Sequence, residues 1–102
     1  MTTEKVCRFW ICSEDEDGNY IDHQAVGRKV FRQAGLVNSA FYDTVGTRDG
    51  ETTQFFELRI PNFSKNVSEF DDVENFIEFL EDMFNQSIRV EVEEVTVLSK
   101  GL

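Results

Sequence analysis

The chain reads as a single α+β domain spanning residues 1–102, built from four strands and two helices. Three observations predict this class. Two stretches carry apolar residues at the three-and-four spacing of an amphipathic helix, and four carry the alternation or β-branched content of strands. The six follow one another as strand, helix, strand, strand, helix, strand. A chain of this length buries roughly two-thirds of its unfolded surface and folds without staples.

Val6 to Cys12 alternates, with Cys7, Phe9 and Ile11 on one side and Val6, Arg8 and Trp10 on the other. Ser13 to Asn19 is an acidic loop that delivers the chain to Asp22, an N-cap for a helix running to about Ala34. Ala25, Val26, Val30, Phe31 and Ala34 are its apolar members; Arg28, Lys29 and Arg32 take the wet side, and Gly35 stops it. Ala40 to Val45 and Thr53 to Ile60 are strand-like, and GTRDGE between them makes a hairpin turn. Pro61 and the polar run to Asn66 break the chain. Ser68 then caps a helix to Phe84, with Asp71 completing an acidic capping box. Its stripe is Phe70, Val73, Phe76, Ile77, Leu80, Met83 and Phe84. Ser87 to Leu98 is the last strand, in which Ile88, Val90 and Val92 alternate and Val95 and Val97 resume out of phase, predicting a bulge at Glu93-Glu94. The order β-α-β-β-α-β is the ferredoxin-like, or split βαβ, arrangement: a four-stranded antiparallel sheet with two helices on one face.

The net charge of −10 disfavours direct binding to nucleic acid or an anionic membrane, since a phosphate backbone is bound by releasing counter-ions onto Lys and Arg. A basic protein surface is the partner it suits. Cys7 and Cys12 point to opposite faces of one strand and are not expected to bond each other. MTTEKV lacks the basic region and apolar run of a signal peptide, so a reducing, cytoplasmic setting is expected. Asn62, Asn66 and Asn85 each begin an N-x-S sequon, read in that setting as turn chemistry.

No catalytic, metal or cofactor signature stands out. SEDEDGNYIDHQ, residues 13–24, looks like an EF-hand loop at Asp15, Asp17 and Gly18, but Ser13 and Gln24 stand where the terminal carboxylates belong. His23, the only histidine, is read as a surface residue of a first helical turn rather than as the base of a cysteine dyad. With the first and third strands central, Arg8, Trp10, Phe55, Glu57 and Arg59 meet on the sheet face away from the helices, joined by Tyr42. That layout resembles the RNA-recognition motif, whose central-strand aromatics stack bases. TTQFFELRI lacks the family's basic-glycine-aromatic pattern, so a protein interface or homodimer face is the reading preferred.

The densest acid lies on the second helix. Glu69, Asp71, Asp72, Glu74, Glu78, Glu81 and Asp82 span about 20 Å at 1.5 Å per residue, a spacing near that of one DNA strand. Phe79 lies off the apolar stripe among Glu78, Glu81 and Asp82, where it could anchor a partner. The function expected is therefore a non-enzymatic inhibitor or adaptor that occupies a basic surface, such as that of a nucleic-acid-binding protein or host defence complex. Virus-encoded DNA mimics and anti-defence proteins are similar in kind. Its partner-binding residues would be Glu74, Glu78, Phe79, Glu81, Asp82, Trp10, Tyr42, Phe55 and Arg59. The alternative is an enzyme or small-ligand or nucleotide-binding module that uses the open face, lined by Trp10, Tyr42, Phe55 and Arg59.

Overall fold

The computed structural model describes residues 2–97. In chain order its elements are β1 (Thr2–Cys12), α1 (His23–Ala34), β2 (Ala40–Arg48), β3 (Glu51–Pro61), the single turn α2 (Phe63–Asn66), α3 (Val73–Phe84) and β4 (Arg89–Val97). The strands form one sheet in the order β2-β3-β1-β4, with every neighbouring pair antiparallel, so β1 and β3 are central as expected. Asp49 (φ 52°) and Gly50 (φ 80°) supply the two left-handed residues of the tight β2–β3 turn, which lets both strands run longer than their apolar stretches suggest.

Strand alternation decides the layers. Cys7, Phe9 and Ile11 face Ile60, Leu58 and Phe56 across the β1–β3 pairing, and all six are buried. The core they join takes Val30 and Ala34 from α1 and Phe76, Leu80 and Phe84 from α3. Phe9 meets Phe76 edge-on at 5.0 Å, and His23 stacks on Phe56 at 4.0 Å, so both helices cover the same sheet face. Fully burying a ring such as Phe9 or Phe76 contributes about 1.5–3 kcal/mol. No described helix is long and apolar enough to cross a membrane.

The first helix keeps its predicted bounds. Asp22 accepts from the Gln24 and Ala25 amides, and Gly35 (φ 64°) turns left-handed to donate to Phe31. The second helix does not start at Ser68. The Ser68 and Glu69 amides donate to Gly35 and Ala34, capping the C-terminus of α1, and Leu36 bridges Val67. Held in that pairing, 67–69 cannot be helical; α3 begins at Val73, with Asp72 accepting from the Asn75 amide at 2.8 Å. Nor is there a bulge at Glu93-Glu94. The β1–β4 register runs unbroken from Thr2↔Val97 to Trp10↔Arg89. The slip in pattern arises because β4 runs past the helices: Val92 is 60% exposed, so no dry face dictates the alternation there. The predicted strand end at Leu98 lies outside the described residues.

Candidate functional site

The face opposite the helices is assembled by the same alternation. Arg8 lies across from Arg59 on one side and Glu91 on the other, and Trp10 from Glu57 and Arg89, while Tyr42 pairs with Glu57 from β2. Glu57 is the hub of this face. It is only 6% exposed, and its Oε1 accepts from Arg8 Nε and Arg59 Nε, each at 2.6 Å. The Arg8 hydrogen bond, aided by that of Arg59, holds the Glu57 carboxyl below the usual range against the opposing effect of burial. Arg8 Nη1 also reaches Glu91 and Glu93 at 3.5 Å, and Arg89 pairs with Glu91. Three guanidiniums lie over aromatic rings: Arg8 and Arg89 at 4.9 and 5.2 Å from the Trp10 centroid, Arg59 at 5.8 Å from Tyr42. The side chains are thereby fixed in place before any ligand arrives, which is the condition for precise binding.

At the end of this face lies a cleft of about 270 Å³ between Trp10, Phe55 and the segments that enter and leave the strands. Gly46 lets Phe55 lie across β2, because a β-carbon there would stand 2.9 Å from the ring. Gln86 is buried and grips both polar groups of the Cys12 peptide: Oε1 accepts from the amide at 2.7 Å, and Nε2 donates to the carbonyl at 2.9 Å. A side chain thus continues the β1–β4 ladder past its last backbone pair and fixes the cleft wall. Arg48 donates to the Glu14 carbonyl at 2.8 Å, and Glu16 and Arg89 complete the rim. Trp10 Nε1, a buried donor, has no acceptor among the described residues. Two aromatic faces, a carboxylate and two guanidiniums in one small concavity can hold a flat ring, a cation and an anion at once.

Of the residues expected from sequence, Trp10, Tyr42, Phe55 and Arg59 do come together on the open face. Glu74, Glu78, Phe79, Glu81 and Asp82 lie on α3, in the layer across the sheet from them. The acid there is also sparser than expected. Because α3 starts at Val73, Glu69, Asp71 and Asp72 fall outside it, Asp72 is spent as the cap, and Glu81 accepts from the Ile88 amide at 3.1 Å. Phe79 does not stand free; it is half-buried, with its ring 5.0 Å from Phe70 and 6.0 Å from Phe76. In the 13–24 loop the Asp15 Oδ1 accepts from the Asp17 and Asn19 amides, the hydrogen bonding of an ordinary turn. Sequence reasoning missed Glu57 as a hub and missed Glu16, Arg48 and Arg89 altogether. Glu57 and Arg59 could have been found as an i, i+2 ion pair on one face; the other three depend on which loops meet.

No protein-family model matches the chain, and no curated protein matches it by sequence. In fold it is similar to a solved structure of a phage SAM lyase in complex with S-methyl-5'-thioadenosine, with a TM-score of 0.53 and 16% identity over 89% of this chain and 81% of that one. This likeness to an enzyme's fold overturns the expectation of a non-enzymatic inhibitor or adaptor, and with it the DNA-mimic reading of the acid on α3. The physical error is visible in α3. Carboxylates assigned to one continuous helical row belong partly to a turn, a cap and a loop contact.

Proposed function

We propose that this protein is an enzyme of phage type that binds a SAM-like sulfonium in the cleft at the end of the open sheet face and releases a thioether from it. The observation that carries the reading is the composition of that cleft, Trp10 and Phe55 beside Glu16, Arg48 and Arg89, on a fold shared with a phage SAM lyase. Each group in such a ligand has a counterpart. An aromatic face attracts a sulfonium or stacks a purine, and a guanidinium holds an amino-acid carboxylate. Breaking the carbon–sulfur bond sends its electron pair to sulfur and extinguishes the positive charge there. A transition state with less charge than its ground state is favoured where aromatic rings replace water. Glu16 is the cleft's carboxylate, placed to take a proton if the methionyl fragment leaves by elimination.

The same reading takes the fold as ferredoxin-like, supported by the central β1 and β3, the three antiparallel pairings and the shared helix layer; the added turn α2 is its departure. The free, buried Cys7 and Cys12 support the reducing, cytoplasmic setting expected from sequence. Trp10 is the only tryptophan, so its fluorescence reports on this cleft alone. Titration with S-methyl-5'-thioadenosine should quench it saturably, and incubation with SAM should release that thioether, seen by chromatography. A flat titration together with intact SAM would sink the reading.

A further inference from the structure

The larger cavity lies on the other side of the sheet, about 690 Å³ between α1 and β2, within the range of small-molecule sites. β2 is an edge strand, so α1 overhangs it and the groove is open along its length. Helical spacing gives the groove two rows from one helix. Gly27 and Phe31 form the inner row, four residues apart, and Gln24, Arg28 and Arg32 form the rim at the same interval. Phe41, from the helix-facing side of β2, is the opposite wall, and Gly27 keeps it accessible: a β-carbon there would sit 3.6 Å from the Phe41 ring. The charge is as distinctive as the shape. In a chain of net charge −10, Arg28 and Arg32 have no acidic partner among the described residues, whereas Arg8, Arg59 and Arg89 do. The carboxylates at the N-terminal end of the groove are engaged: Asp43 with His23 Nε2 at 3.2 Å, and Asp22 as the cap of α1. His23 Nδ1 is a second buried polar atom with no partner among the described residues.

We propose that this groove is a second binding site, for a nucleoside monophosphate, with the ring between Phe31 and Phe41 and the phosphate on Arg28 and Arg32. Two guanidiniums one helical turn apart suit a dianion better than a single carboxylate, because each can present paired N–H donors to its oxygens. The aromatic walls suit a flat base, and the Gln24 carboxamide, with both donor and acceptor, can read its edge. Asp43 sets the direction, since its charge repels phosphate from the His23 end and leaves that end to the base.

The two sites carry different natural reporters, the only histidine here and the only tryptophan in the cleft across the sheet. The test is an NMR titration of the full chain with AMP, following the His23 imidazole, with Trp10 fluorescence recorded in parallel. AMP should shift the His23 signals saturably and leave Trp10 unchanged. Adenosine alone and inorganic phosphate alone should each bind roughly tenfold or more weakly, as should AMP to the Arg28→Gln, Arg32→Gln double variant, since charged hydrogen bonds are lost. Both arginines are exposed, so that variant should retain its circular dichroism spectrum and its Trp10 response to S-methyl-5'-thioadenosine. An unmoved His23, an AMP response at Trp10, or equal affinity for AMP and adenosine would each overturn the second site. Neither an unmoved His23 nor equal affinity for AMP and adenosine would bear on the thioether cleft, which fails or stands on its own titration.

Discussion

Phe9 and Arg8 are neighbours in one strand, and they belong to two different kinds of surface. Phe9 is fully buried in a dry layer of rings and branched chains, and Arg8 lies in a lattice of ion pairs and cation–ring contacts on the opposite face. The first surface holds the fold together through area removed from water. The second contributes less net energy, because charges that pair with one another also give up hydration. What the ionic face gains is fixed geometry: Glu57 positions Arg8 and Arg59, and Arg8 and Arg89 flank Trp10. The helix-covered face should therefore govern stability, and the open face should govern binding.

The sharpest separation should come from Phe76→Ala. It removes a ring that touches Phe9, Phe63, Phe70 and Phe79, and should cost about 3–5 kcal/mol in a denaturant titration. Glu57→Gln should cost less, about 1–3 kcal/mol, because the arginines it strands reach water, Arg59 being 45% exposed at its side chain. The same variant should loosen Trp10 and weaken thioether binding out of proportion to that loss. If it instead unfolds the protein as readily as Phe76→Ala, the division between the two faces breaks down.

The pH dependence tests the same carboxylate. Its folded pKa is depressed, so its contribution is complete above the unfolded Glu value of about 4.3 and is lost as pH falls through the lower folded value. Melting temperature should fall more steeply below about pH 4 in the wild type than in Glu57→Gln. Smaller still, Gly27→Ala should stabilise the protein by about 0.5–1 kcal/mol, since the added methyl meets Phe41 at ordinary contact distance within a helix. It should also narrow the α1 groove, separating stability from binding on the dry side. At the bottom of the scale, Glu78→Lys and Asp82→Lys should each move stability within about ±0.5 kcal/mol. Asp82→Lys should lean towards stabilisation, because a cation suits the last turn of α3.

Sequence alone determined what short-range physics decides. The Asp22 cap, the left-handed Gly35 and the three-and-four spacing between them define α1 without reference to any other part of the chain. The two-residue period separates Phe9 from Arg8 wherever β1 lies, and Asp49-Gly50 marks the hairpin because few other pairs tolerate two positive φ angles. Tertiary structure decided everything that depends on a distant partner. Ser68 has the chemistry of a cap, but its amide is taken by Gly35, thirty-three residues earlier, and Gly35 can come so close only because a β-carbon there would stand 1.9 Å from the Ser68 hydroxyl oxygen. Phe79 looked exposed by periodicity and was drawn in by Phe70, which lies in the turn before the helix and adds a flank to the core. The open face needed Arg8 and Glu57, forty-nine positions apart, and its cleft needed Gln86 to reach Cys12 across seventy-four. Local propensity acts over a few residues; a site built by sheet register and loop contact draws on residues dozens of positions apart, and no short window of sequence contains it.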